Sequence, residues 1–300
     1  MKGGFIMNNY VLSCCSTVDL TAEHLSKRSI SYIPFHFYID GVHYYDDLGQ
    51  SMNLDDFYAH IANGAITKTS QINPDEFTVY FEKILSQGQD ILHLSLSSGI
   101  SGVYNSARLA ADELKTKYPE RKIYIVDSLA ASSGYGLLMD TLADLRDGGA
   151  SIEEARDWAL SHRLELHHWF FSGDLTCYVR GGRISRTAGL FGTLLHICPL
   201  LDVDAAGRLT PRFKIRGKDK AIRAIVEQMQ LHARDGSGYD GKCYISQSAC
   251  MEDARQVAKL VEESFPKLDG KVEINNIGPT IGSHTGPGTV ALFFWGDKRI

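Results

Sequence analysis

Apolar residues recur in two rhythms along the first half of the chain. Short apolar and β-branched runs at Tyr10–Cys14, Ser31–Ile39, Ile91–Leu96 and Lys122–Val126 predict strands. Between them the spacing becomes helical. Phe77, Phe81, Ile84 and Leu85 share one face, and Val103, Ala107, Ala110, Ala111 and Leu114 form a second stripe. The start signals agree. Asn73-Pro74-Asp75-Glu76 sets a capping side chain before a proline at the first helical position, with acids where the helix dipole favours them. Ser151-Ile152-Glu153-Glu154 fits a capping box, in which Ser and Glu satisfy each other's backbone donors. Alternation of this kind predicts an α/β fold with a mostly parallel sheet and helices on both faces.

The second half has a different pattern. Strands are predicted at Trp169–Ser172, Pro199–Val203, Leu209–Phe213, Cys243–Ser246, Val272–Ile277 and Thr289–Trp295. Asp204-Ala205-Ala206-Gly207 suggests a hairpin between two of them, and helical stretches follow at about Lys218–Ala233 and Glu252–Phe265. Hairpins plus helices predict an α+β domain with a substantially antiparallel sheet. The expected division is residues 1–165 and 166–300. No Pro/Gly/Ser-rich linker marks the join, so the two domains are expected to pack closely.

Composition narrows the function classes. At 300 residues, with 44% hydrophobic and 22% charged residues, the chain is long enough for a sizeable globular core. A net charge of -5 gives no general attraction to phosphate backbones, so nucleic acid is a poor partner. The six cysteines include no C-x-x-C pair and are expected to be reduced thiols of a cytoplasmic protein. Val11-Leu12-Ser13-Cys14 loosely resembles a lipoprotein cleavage site, but Asn8 and Asn9 interrupt the apolar stretch before it. No run approaches the ~20 apolar residues that span a bilayer, so stable membrane insertion is not expected.

The candidate chemistry sits at strand ends, where open parallel sheets bind ligands. Ser16-Thr17, Ser97-Ser98-Gly99-Ile100-Ser101-Gly102, and Ser128 with Ser132-Ser133-Gly134 all fall there. Ser101 and Gly102 open a helix, whose free N–H groups and dipole favour an anion. Thr67-Lys68-Thr69-Ser70-Gln71 offers similar groups, although small polar residues are also what ordinary loops and caps use. In the second half, Arg183 within Arg180-Gly181-Gly182-Arg183 can give a carboxylate or phosphate paired hydrogen bonds. His284 lies in what reads as a stiff loop between strands, Ile281–Gly288. Nucleophile-elbow, phosphate-loop and zinc-protease motifs are absent, and no G-x-G-x-x-G follows a predicted strand. His167 and His168 would point to opposite faces of a strand, which makes the pair a poor metal site. No metal is expected.

In order, Thr69-Ser70-Gln71, SSGISGVYNSA (Ser97–Ala107), VDSLAASSGYG (Val126–Gly136), RGGRI (Arg180–Ile184) and IGSHTGPG (Ile281–Gly288) resemble the DegV family over nearly the whole chain. The resemblance implies two α/β domains with a long-chain fatty acid in the cleft between them. It implies a carrier that presents the fatty-acid carboxylate to a partner kinase for acyl-phosphate formation and is not itself an enzyme. No cofactor is implied beyond the bound lipid. Carried across, Thr69 (with Ser70 beside it) and Ser101 would hold the carboxylate, and Arg183 and His284 would lie near the same head group. Phe170, Phe171, Leu190, Phe191, Leu194, Leu195 and Phe293 are candidates to line the tail, although core packing explains them equally well. The chain departs from the family pattern at Cys15, where an aspartate is usual, and at Ile72 and Val103. An acid lost near the head group at Cys15 would bear on coupling to the kinase. Two other readings stay open: a phosphotransferase or hydrolase using the Ser-rich loops and His284, and a diverged lipid-binding regulatory protein.

Overall fold

A computed structural model describes residues 10–185 and 197–300. Strands β1 (Tyr10–Cys15), β2 (Ile30–Ile33), β6 (Asp90–Ser95) and β7 (Ile123–Asp127) form an all-parallel sheet in the order β2-β1-β6-β7. Strand alternation divides their side chains between two layers. Cys15, Ile91 and Ile123 face the helices α3 (Pro74–Leu85) and α4 (Val103–Lys117). Leu12, Leu92 and Val126 face α5 (Ser132–Asp147) and α6 (Ile152–His162). Both predicted capping boxes are present, Asn73 with Glu76 and Ser151 with Glu154.

The predicted single strand Ser31–Ile39 is two strands. Pro34, which has no N–H to give a ladder, separates β2 from β3 (Phe35–Ile39). The chain there leaves the parallel sheet and joins a small antiparallel one, ordered β4-β3-β5, with β4 (Val42–Asp46) and β5 (Thr67–Ser70). Helix α2 (Leu54–Ala62) packs Phe57 and Tyr58 against Phe37 of this sheet.

The second half builds a six-stranded sheet, ordered β10-β9-β8-β13-β11-β12. Its strands are β8 (Leu166–Ser172), β9 (Ile197–Val203), β10 (Leu209–Arg216), β11 (Tyr244–Gln247), β12 (Glu273–Asn276) and β13 (Thr289–Trp295). Every pairing is antiparallel except β11 with β12. The β9–β10 hairpin turns at Asp204, whose Oδ1 accepts from the N–H groups of Ala206 and Arg208. Helices α1 (Ala22–Lys27), α7 (Thr176–Arg180), α8 (Lys218–His232), α9 (Met251–Ser264) and α10 (Pro279–Thr285), with 3-10 turns at Ser16–Val18 and Gly236–Gly238, complete the described elements. No described helix is long and apolar enough to cross a membrane.

Helix α5 lies between the two larger sheets. Its Leu137, Leu138, Met139 and Leu142 join one apolar cluster with residues of β1, β8, β11 and β13. Asp140 of α5 carries the polar counterpart of this join. Its Oδ1 accepts from Arg28 at 2.7 Å and His24 at 3.1 Å, and its Oδ2 from Lys242 at 2.6 Å and the Tyr244 hydroxyl at 3.1 Å. All four lone-pair directions of the buried carboxylate are thus used, by donors from both halves of the chain.

Candidate functional site

Alternation along β8 and β13 builds the floor of a cavity of about 330 Å³. His168 and Phe170 face it from β8, and Thr289, Ala291 and Phe293 from β13. Apolar walls come from Phe35, Leu96, Ile100, Ile277 and Ile281. The polar groups are gathered from three other places. Thr69 and Gln71 come from the end of β5, Ser101 and Gly102 from the start of α4, and Arg183 and His284 from the two short helices or the turns after them. A mostly apolar cavity with a few convergent polar groups is the usual form of a small-molecule site.

His284 is not in a loop, as its glycine-rich surroundings suggested, but in the last turn of α10. Pro279 at the first helical turn pre-sets the backbone there. Two buried carboxylates hold the start of that helix. Asp19 Oδ1 accepts from Gly278 N at 3.0 Å, and Asp46 Oδ2 accepts from Thr280 N at 3.1 Å. Burial pushes the pKa of both acids up. At its other end α10 meets the end of α7 very closely. A Cβ on Gly181 would lie 2.2 Å from His284 Nδ1, so only glycine permits this approach.

Three polar side chains form a directional series. Arg183 Nη1 lies 3.4 Å from His284 Nδ1, and His284 Nε2 lies 2.7 Å from Thr69 Oγ1. A guanidinium has only donors, so Nδ1 must be the acceptor and the proton is assigned to Nε2. His284 therefore donates to Thr69 Oγ1 and leaves the threonine hydrogen free to donate into the cavity. Burial, with Arg183 and Arg180 adding to it, lowers the His284 pKa to about 3 and keeps the ring neutral. Ser101 is set up in the same way: its Oγ accepts from Val103 N at 3.3 Å, so its own hydrogen is available. Burial also lowers the Arg183 pKa, and among the described residues no carboxylate pairs with it.

The arrangement suits capture of an anion. It does not suit base catalysis: a cation occupies the position where a carboxylate would orient a catalytic histidine, and a ring that protonates only near pH 3 is a weak base.

The structure thus brings Thr69, Ser101, Arg183, His284, Phe170 and Phe293 to one cavity. It does not bring Ser70 or Phe171 there, because each follows a lining residue on a strand and so faces the other way. Leu190, Phe191, Leu194 and Leu195 lie outside the described residues. Cys15 is also displaced from the expectation. It is fully buried in the layer beneath α3 and α4, its thiol 3.8 Å from His93 Nε2, and it does not line the cavity. Burial raises its pKa. Sequence reasoning missed His168, whose Nε2 is buried without a hydrogen-bond partner among the described residues. The signal was available, since His168 alternates with Phe170 on the same strand.

Comparisons with known proteins give the family and the fold. A family model described as "Uncharacterised protein, DegV family" matches residues 15–297. A DegV domain-containing protein of Clostridium perfringens is 37% identical over 98% of this chain and 99% of its own length. A solved DegV family protein from Thermus thermophilus, described for its fatty acid binding, is similar with a TM-score of 0.85 at 27% identity, covering 96% of this chain and 100% of that one. The Streptococcus pneumoniae Fatty Acid Kinase (Fak) B3 protein, loaded with linoleic acid, is similar with a TM-score of 0.83 over 96% of this chain and 100% of that one. At 22% identity this second likeness concerns the fold alone.

Proposed function

The chain belongs to the DegV family, and from that premise we propose that its cavity holds a long-chain fatty acid and presents the carboxylate to a partner kinase. Thr69 and Ser101 donate to the carboxylate, Arg183 supplies positive charge behind His284, and the tail lies over Phe170 and Phe293 between lobes of residues 1–165 and 166–300. The observation that carries this reading is the Arg183–His284–Thr69 series, which leaves a hydroxyl hydrogen free to donate into a mostly apolar cavity. Two hydroxyl donors and a nearby cation offset the cost of removing a carboxylate from water. About fifteen buried methylenes at ~0.8 kcal/mol each supply a gross drive near 12 kcal/mol, from which the costs of association are subtracted. The kinase step follows from the family motifs. Phosphoryl transfer is then the partner's chemistry, and the reduced thiols fit a cytoplasmic carrier.

Retention this strong is expected to leave lipid on the protein during purification. Denaturing unsupplemented protein, extracting it into organic solvent and analysing the extract by mass spectrometry should release close to one fatty acid per chain. A blank that persists after incubation with saturated and unsaturated fatty acids would overturn the reading.

A pH prediction follows from the neutral histidine. Because the His284 pKa is lowered to about 3, its protonation state does not change between about pH 6 and pH 8, and affinity for an ionised fatty acid should be flat across that range. Fluorescent fatty-acid titrations at the two ends check this. A midpoint near pH 6.5 that disappears in His284→Gln would show that the ring titrates and that the tautomer assignment is wrong.

A further inference from the structure

On the face of β8 turned away from the cavity, three chain segments meet around two imidazoles and a carboxylate. His167 belongs to β8, His232 ends α8, and Asp297 follows β13. His167 Nε2 lies 2.9 Å from Asp297 Oδ1, and His232 Nδ1 lies 3.1 Å from the same oxygen. One donor atom from each of the three residues falls within 4.8 Å of the others. The two rings stack with centroids 4.9 Å apart, and His167 also stacks on Phe294 at 5.1 Å.

The backbone holds this cluster in place. Asp297 N donates to His232 O at 3.0 Å, Arg234 N to Trp295 O at 3.1 Å, and Gly296 N to Glu165 O at 2.7 Å. Gly296 is required by the close packing, since a Cβ there would lie 2.2 Å from His232 O and 2.8 Å from His167 Cδ2. His167 is buried, whereas the side chains of His232 and Asp297 are 33% and 63% exposed, so the cluster opens to solvent on one side.

We propose that His167, His232 and Asp297 form a three-ligand site for a divalent transition metal, with zinc the best-matched ion. Two imidazole nitrogens and one carboxylate oxygen are donors that zinc takes at about 2.0–2.2 Å, with a fourth position left for water. Tetrahedral bonds of that length place neighbouring donor atoms roughly 3.3 Å apart. Two of the three separations, 2.9 and 3.1 Å, need to open only slightly to reach it, and the third, between the two ring nitrogens, lies within 4.8 Å. No thiol belongs to the cluster, which disfavours ions that select sulfur. The His167 Nε2 is at present shared between the Asp297 carboxylate and the Asp297 carbonyl oxygen, each at 2.9 Å. Metal binding uses the same nitrogen in the other tautomer, with the proton on Nδ1. The adjacent His168 faces the cavity, so the two sites occupy opposite faces of one strand.

The test uses untagged full-length protein stripped with a chelator and titrated with zinc chloride alone by calorimetry. One equivalent should bind. Cobalt(II) in its place should give the visible absorption of a tetrahedral nitrogen–oxygen site without thiolate charge transfer. His232→Ala and Asp297→Ala alter partly exposed side chains and should keep the far-ultraviolet circular dichroism of the parent. Each should weaken zinc binding by at least about tenfold, since even groups outside the coordination sphere contribute on that scale. Absence of saturable uptake by the parent would overturn the proposal. So would zinc affinity in both folded variants equal to that of the parent.

Discussion

Fatty-acid affinity is expected to fall by roughly 10²- to 10³-fold in a Thr69→Ala/Ser101→Ala double variant, with the fold unchanged. Each hydroxyl gives the carboxylate one hydrogen bond, and a hydrogen bond to a charged group contributes about 1.5–3 kcal/mol. Losing both removes about 3–6 kcal/mol, reduced where water replaces the missing donors. Both side chains are only partly buried, so their loss leaves no large void in the core. Thr69→Ala also deprives His284 Nε2 of its acceptor, which is the stronger reason to expect the pair to act together. The readout is a competitive binding titration alongside a thermal melt. A melt unchanged within error and an affinity also unchanged would remove the head-group assignment while leaving the family membership untouched.

Replacing Asp140 by alanine is expected to destabilise the protein by about 3 kcal/mol, the lower end of what breaking a buried ion pair costs. The loss leaves Arg28 and Lys242 without their buried partner, although both retain Asp144, and Arg28 also Asp147, at the surface. Burial alone would raise the Asp140 pKa, but hydrogen bonds from His24 and Lys242, with the charges of Lys242 and Arg28, hold it well below the usual carboxylate range. The same contacts act on His24. Its hydrogen bonds to Asp140 and then Glu273 raise its pKa to about 9, against the opposing effect of burial. A histidine whose folded pKa is raised stabilises the fold fully below its unfolded value, near 6.5, and loses that contribution as pH rises through about 9. Chemical denaturation at about pH 6.5 and pH 9.5 should therefore show the parent weakening with pH and Asp140→Asn weakening less. An equal slope in both would mean that Asp140 does not set the His24 titration.

The parts of this molecule that were legible from sequence are those decided within a few residues. The capping boxes at Asn73 and Ser151 act over one helical turn, and the Asp204 turn closes its own hairpin. The strand expected at Ser31–Ile39 failed because apolar alternation does not say which sheet receives a residue, although Pro34 marked the break. Strands β4 and β5 escaped notice because Val42–Asp46 is largely exposed and Thr67-Lys68-Thr69-Ser70 is polar, so neither carries an apolar pattern. The site was legible only as a set of motifs. His284 and Thr69 stand 215 residues apart, and no local rule brings them to hydrogen-bonding distance. Once Phe170 and Phe293 were chosen, the period of two on their strands excluded Phe171 and included His168.

The cavity's two ends have different architectural origins. The polar end is assembled from a strand terminus, a helix start and two short helices, whereas Phe170, Ala291 and Phe293 form an apolar ladder on β8 and β13. A handle built on one set of elements and a ruler built on another can be revised separately. If the acyl chain lies over this ladder as proposed, a larger residue at Ala291 would shorten the ruler without disturbing the handle, and a smaller residue at Phe293 would lengthen it. On the proposed fatty-acid reading, gene duplication followed by drift along that one ladder would be sufficient to yield carriers that share a grip on the acid and sort acyl chains by size.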